Sequence, residues 1–151
     1  EDLQDGGAGY AGRHNQEVKR VISISLPWPH KDLSPNARKH RMAISGLKKR
    51  SREEGRLLAI SHKNSIPEDG RLYLRVTACP PDRRKRDRDN VMASLKAHLD
   101  GIADGLGVDD SRFVPLLMPD WGEVVKGGLI TVEILDSVEE WIRPFQTANQ
   151  E

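Results

Sequence analysis

Apolar positions along this chain switch between a period of two and a period near 3.6, and each switch marks an element. From Val21 to Leu26 β-branched and small residues alternate, which predicts a first strand ended by Pro27 and Pro29. Ser34-Pro35 has the form of a helix start, serine as cap and proline at the first helical position. A long basic helix is expected from there to about Ser61, carrying Met42, Ile44, Leu47, Leu57, Leu58 and Ile60 among many charges, with Gly46 the candidate point for a break. Leu72 to Ala78 alternates cleanly and predicts the second strand, and a central helix should run from about Asn90 to Asp104. Phe113 to Met118 reads as a third strand. Lys126-Gly127-Gly128 supplies turn chemistry before a fourth, Leu129 to Leu135, apolar enough for a buried place in the sheet. The order β-α-β-α-β-β predicts an α+β fold, one small mixed β-sheet packed by two main helices.

The ends differ from this middle. Residues 1–18 are polar and glycine-rich without a period and are expected to be a disordered or processed leader; 19–136 form the domain; 137–151 are a tail whose Trp141, Ile142 and Phe145 suit packing on the body or on a partner. With 36% hydrophobic residues and a mean hydropathy of −0.62, the 151-residue chain is lean, yet sufficient for one core. No apolar run approaches the roughly 18 residues of a membrane span, and no signal-peptide core is visible. Cys79, the lone cysteine, excludes an internal disulfide and a thiolate metal cage. A reducing cytoplasmic setting is the expectation.

A net charge of +1 hides strong local contrast. The chain is basic from Arg38 to Arg56 and from Arg83 to Arg88, and acidic from Asp100 to Asp110. Local patches, rather than the net value, steer a polyanion. The segment DRDNVMASLKAHLDGIADGLGVDDSR, Asp87 to Arg112, concentrates the candidate chemistry. If Asp87 and Asp89 lie in extended chain, their side chains face one way, and a divalent cation would relieve their repulsion. On a helical wheel Val91, Leu95, Leu99, Ile102 and Leu106 cover one arc of roughly 80°, while Asp89, Lys96 and Asp100 fall within roughly 40° of one another on the opposite side. A solvated Lys96–Asp100 pair is the plainer account of those two residues. Asp109 and Asp110 follow a glycine-flanked stop. In extended chain only one of the two can join the earlier aspartates, and the other would pair with Arg112 or bond to the turn. Carboxylates so placed suit Mg²⁺, and the cations beside them suit phosphates. Histidines 14, 30, 40, 62 and 98 have no metal-ligand spacing and are taken as structural or surface residues.

Asp87-x-Asp89-Asn90, then Lys96-Ala97-x-Leu99-Asp100, Gly107-Val108-Asp109-Asp110 and Lys126-Gly127-Gly128 before a terminal strand together resemble the RusA family of bacterial and prophage Holliday-junction resolvases. The resemblance covers roughly Val21 to Leu135. It implies a homodimeric, Mg²⁺-dependent endodeoxyribonuclease (Mn²⁺ the alternative ion) that cuts four-way junction DNA symmetrically during recombination and repair. It also implies that Asp87, Asp89 and Asp110 ligate the metal, with Lys96 as the essential lysine. Relative to the best-known members about three residues are inserted before Lys96, a displacement of roughly 4.5 Å along a helix. The family's early proline–asparagine loop appears as Ser34-Pro35-Asn36. The expected DNA contacts are Arg83, Arg84, Lys85, Arg86, Arg88 and Asn90 with the basic helix around Lys48, Lys49 and Arg50. Two other classes are compatible with the residues alone: a branched-DNA-binding protein without catalysis, and a Mg²⁺-dependent nucleotide phosphohydrolase.

Overall fold

The computed structural model describes residues 20–115 and 118–137. The expected leader, the tail beyond residue 137 and positions 116 and 117 of the expected third strand lie outside the described residues. The architecture is α+β: a five-stranded mixed sheet with helices packed against it. Strand β1 (Arg20–Leu26) leads through a 3-10 turn at Lys31–Leu33 to helix α1 (Arg41–Ala59) and a second 3-10 segment, Ile60–Ser65. Then come β2 (Leu72–Cys79), α2 (Arg88–Ser94), α3 (Lys96–Leu106), a 3-10 turn at Asp110–Arg112, β3 (Phe113–Pro115), β4 (Asp120–Trp121) and β5 (Leu129–Leu135). Along the sheet the order is β1-β5-β2-β3, with β4 also on β2. β5 is antiparallel to both β1 and β2, whereas β3 and β4 run parallel to β2.

Alternation decides which face of the sheet is buried. Ile22, Ile24 and Leu26 of β1, Leu72, Leu74, Val76 and Ala78 of β2, and Ile130, Val132 and Ile134 of β5 point to the helices and form the core. Val91, Leu95, Ile102 and Leu106 close it from above, with Leu99 packed at its edge. These are the positions of the apolar arc read from the wheel. The opposite face is polar, and Arg75 and Glu133, paired in register, form a half-buried ion pair at 3.0 Å across it.

Three expected boundaries move, each for a local reason. Ser34 does cap a turn: its Oγ accepts from the Asn36 amide at 3.3 Å, and the Ala37 amide donates to the Ser34 carbonyl at 3.0 Å. That turn is not continued, because Arg38, Lys39 and His40 are exposed and offer nothing to bury against the body. The helix starts instead at Arg41, with His40 Nδ1 accepting from the Met42 amide, and it passes through Gly46 unbroken. The central helix is two segments. Ser94 Oγ bonds back to the Asn90 carbonyl at 2.7 Å, and the chain turns at the fully buried Leu95 (φ −90°, ψ −6°) before resuming as α3. Of the expected third strand, Phe113–Pro115 pairs with Leu72–Leu74 of β2, Pro115 bringing no amide to the ladder, and Met118 at its expected end stands outside any strand; Asp120–Trp121 also pairs with β2.

α1 packs in a way its apolar residues do not suggest. Its buried positions are Ser51, Gly55 and Ala59, while Leu57 and Leu58 are exposed. α3 answers with Gly101 and Gly105. A Cβ at Gly101 would strike the Arg52 carbonyl, one at Gly55 the His98 carbonyl, and one at Gly105 the Arg56 carbonyl. The helices therefore cross backbone to backbone. His98 is buried in this crossing, its Nε2 at 3.1 Å from Glu54 Oε1. Because the obstacle at Gly101 is backbone, Gly101→Ala forces the helices apart. The expected loss is about 2 kcal/mol from overpacking, exceeding the ~1 kcal/mol that alanine gains in helix propensity. A thermal melt checks it, and a variant as stable as the wild type would show that the crossing yields freely.

Candidate functional site

The chain that enters α2 places the first carboxylates. Asp87 is its N-cap, extended at φ −93° and ψ 126°, and its Oδ1 accepts from the Asp89 amide at 2.9 Å. Asp89 sits in the first helical turn. The two are thus a cap and a helical residue, not neighbours on one side of an extended strand as the i, i+2 spacing suggested. Asp89 lines a cleft of about 390 Å³ together with Lys96, Asp100 and Asp110. Leu74, Met92, Leu99 and Phe113 form its apolar wall. The kink at Leu95 leaves Asp89 and Lys96 facing the same space although they belong to different helices. Asp87 does not line this cleft.

Lys96 Nζ lies 3.4 Å from Asp100 Oδ2, one turn along α3. The lysine is largely exposed and the aspartate only 23% so, which makes Asp100 the more fixed partner. Gly107, left-handed at φ 70°, ends α3 and turns the chain toward the second aspartate pair. Here the structure separates two adjacent residues. Asp109 caps the following 3-10 turn, its Oδ1 accepting from the Ser111 amide at 2.9 Å, and that hydrogen bond holds its carboxyl below the usual carboxylate range. Asp110 faces the cleft. Arg112 is engaged elsewhere, donating to the Gly70 and Pro67 carbonyls at 2.9 and 2.8 Å.

A second, basic cleft of about 470 Å³ adjoins the first and shares Ala93, Lys96 and Asp100 with it. Lys48 and Lys49 line it, as does Arg52, absent from the residues expected on sequence grounds. Arg52 clamps Asp104 across the helix crossing, with Nε–Oδ2 at 2.6 Å and Nη2–Oδ1 at 3.0 Å, and the guanidinium holds the Asp104 carboxyl below its ordinary value. Its sequence signal was its place one turn after Lys48 and Lys49. Arg50, which was expected beside those lysines, lines instead a small hollow of about 160 Å³ with His30, Asp32 and Lys39.

The run from Arg83 to Arg88 is divided in use. Arg84 and Arg86 pair with Asp82 at 2.9 and 2.8 Å, and the Arg84 hydrogen bonds, with Arg86 adding, hold that carboxyl far below its usual range. Arg86 is half-buried, 5.4 Å over the Trp28 ring, and Arg88 lies 5.9 Å from the Trp121 ring. Arg83 and Lys85 are exposed, and Asn90 is half-buried with its carbonyl taken by Ser94.

The donor set tests the expected metal. Among the described residues no three carboxylate, imidazole or thiol groups are gathered around one point. Asp89, Asp100 and Asp110 nonetheless share one wall-bounded cleft and offer only oxygen. Mg²⁺ keeps several waters and takes one or two carboxylates together with substrate phosphates, so a shared cleft rather than a closed cage fits it.

Over 122 residues, 78% of this chain and 78% of the other, the sequence is 43% identical to an uncharacterized protein of Xylella fastidiosa strain Temecula1. The two belong to one family. No protein-family model matches the chain. No helix among the described residues is long and apolar enough to cross a membrane.

The split between Asp109 and Asp110 has a measurable side. Asp109→Asn should melt lower than the wild type at neutral pH, because a depressed carboxyl contributes stability only while ionised. That difference should vanish as the pH falls through the depressed value of Asp109. Asp110→Asn, whose side chain caps no turn, should melt close to the wild type at neutral pH. Thermal melts across an acid series decide between this assignment and its reverse.

Proposed function

We propose that this protein is a Mg²⁺-dependent, structure-selective endodeoxyribonuclease of the RusA type, acting as a homodimer on four-way junction DNA in recombination and repair. The observation that carries the proposal is the meeting of Asp89, Asp110, Asp100 and Lys96 in one cleft beside a basic one. Acid oxygens for a hard cation and lysines for a polyanion are the two things phosphodiester hydrolysis requires. The dimer and the junction rest on the resemblance in the central third of the sequence. A two-fold pair of sites suits two symmetric strands. A reducing, cytoplasmic setting in a bacterial or phage-infected cell belongs to the same proposal and suits the free Cys79.

Asp89 and Asp110 would hold the ion, with Asp100 beside them. Asp87 fixes the helix end that carries Asp89 and is the outer member of the set. Bound Mg²⁺ supplies Lewis-acid activation of water and of the leaving oxygen. Lys96, exposed and only loosely paired, can turn its ammonium to a non-bridging phosphate oxygen and neutralise charge as it builds there. The apolar wall of Met92, Leu99 and Phe113 lowers the local dielectric and strengthens both attractions. Arg83, Lys85, Lys48 and Lys49 are the exposed cations that would hold flanking phosphates.

Asp89→Asn should lose cleavage yet keep junction binding, since the carboxamide preserves shape but ligates Mg²⁺ poorly. A labelled four-way junction, a linear duplex and a nucleotide panel, each with Mg²⁺, test the activity, and a gel shift in Ca²⁺ tests binding. Near-normal junction cleavage by the variant would remove Asp89 from the site. Nucleotide hydrolysis without junction cleavage would replace the endonuclease with a phosphohydrolase.

Replacing Arg83 and Lys85 with alanine should lower the slope of log K against log[salt] by about 2 units if both neutralise phosphates. The paired Arg84 should contribute less when replaced alone. An unchanged slope in the double variant would place this loop away from DNA.

A further inference from the structure

The basic cleft has a shape that backbone contact alone does not call for. A flat cationic surface is enough to hold phosphates, yet here the cations surround a concavity of about 470 Å³. That is within the roughly 300–1,000 Å³ typical of small-molecule pockets. Its floor is apolar, made by Leu33 and Pro35 from the loop after β1 and by Ala93 and Ala97 from the central helices. Lys48, Lys49, Arg52 and Lys96 supply the positive charge, against the single carboxylate of Asp100. Arg52 is committed to Asp104 and Lys96 leans on Asp100, so the charge left for a ligand is that of Lys48 and Lys49. An anion joined to a flat, apolar-faced group satisfies both halves of such a cavity.

We propose that this cleft is a subsite for one unstacked nucleotide of a DNA strand, its base lying on the Leu33–Pro35–Ala93–Ala97 floor and its phosphate between Lys48 and Lys49. The inference rests on the endonuclease reading, and it adds a cause for structure selectivity. The cleft opens beside the acidic one across Ala93, Lys96 and Asp100, so a strand whose phosphate lies among the aspartates places a neighbouring nucleotide here. In a continuous duplex that base is paired and stacked, and extracting it costs a few kcal/mol. At the exchange point of a junction the pair can lose a stacking neighbour on one side, so extracting its base costs less. The subsite then favours branched over linear DNA without reading sequence, because an apolar floor accepts the face of any base.

The test uses the full chain in equilibrium titrations with thymidine 5′-monophosphate, thymidine, inorganic phosphate and a thymidine hexanucleotide. The mononucleotide is expected to bind at least about tenfold more tightly than phosphate or thymidine, because only it fills both halves of the cavity. The hexanucleotide should compete with it. Ala97→Leu, which fills the floor, and the double variant Lys48→Ala with Lys49→Ala should each weaken the mononucleotide by about tenfold or more. The double variant changes only exposed side chains and decides the matter should Ala97→Leu fail to fold. Equal affinity for phosphate and mononucleotide, no saturation by the mononucleotide, failure of the hexanucleotide to compete, or unchanged affinity in the double variant would each overturn the proposal. Junction cleavage by the wild type with Mg²⁺ is measured alongside. Cleavage without mononucleotide binding removes the subsite alone, and mononucleotide binding without cleavage removes the endonuclease reading while leaving a nucleotide site.

Discussion

The backbone contact between α1 and α3 is the constraint on which the rest of this structure depends. Gly55, Gly101 and Gly105 have no side chain, so the carbonyls of Arg52, His98 and Arg56 stand where side chains would otherwise be. At this separation Arg52 reaches Asp104 with both its Nε and Nη2 donors, and Lys48 and Lys49 overlook Ala97 and Lys96. The apolar stripe of α3, Ile102 and Leu106, is pressed at the same time onto the sheet. Dispersion between close backbones takes the place of the leucine packing that an amphipathic helix normally supplies. The cost is visible on the outside of α1, where Leu57 and Leu58 remain exposed.

From this crossing follows the layout of charge. Asp100 lines the acidic cleft, the basic cleft and a third hollow that Arg52, Asp104, Asp109 and Asp110 share. It is the pivot between opposite potentials, and Lys96 beside it belongs to both larger clefts. Neither ion pair here is deeply buried, so neither adds much stability. Their effect is positional: one fixes Arg52 against α3, and the other holds Lys96 beside Asp100.

Much of this was legible in the sequence. Alternation marked β1 and β2, and apolar content after a glycine turn marked β5, each to within a residue or two, and the apolar arc from Val91 to Leu106 is the arc that packs. The same wheel put Asp89, Lys96 and Asp100 on one side, and they do share a cleft although α2 and α3 are separate segments. The start of α1 and the turn at Leu95 were not legible. Both hang on single side-chain hydrogen bonds, His40 to the Met42 amide and Ser94 to the Asn90 carbonyl, which compete with well-populated alternatives that propensity cannot rank. The packing face of α1 was hidden for another reason. A search for apolar periodicity finds Leu57 and Leu58 and passes over Ser51, Gly55 and Ala59, since small residues announce close approach rather than burial.

The basic run shows how far a charge count can mislead. Six residues from Arg83 to Arg88 include five cations, all of which read alike as phosphate contacts. In the fold Arg86 is only 17% exposed and is held between Asp82 and the Trp28 ring, and Gly128 is the reason Trp28 can lie there. A Cβ at Gly128 would press on that indole, and its φ of 77° is one that glycine adopts freely. Arg86 thus ties the loop after β2 to the loop after β1, and Gly128, in the turn before β5, leaves room for the indole that joins them. Asp82 accepts from both Arg84 and Arg86, so much of the positive charge in this loop is already answered inside the protein. What remains outward is Arg83, Lys85 and, against Trp121, Arg88. The loop after β2 therefore presents fewer unanswered cations than its sequence suggests, and Lys48 and Lys49 of α1, exposed beside the basic cleft, weigh more in the surface charge.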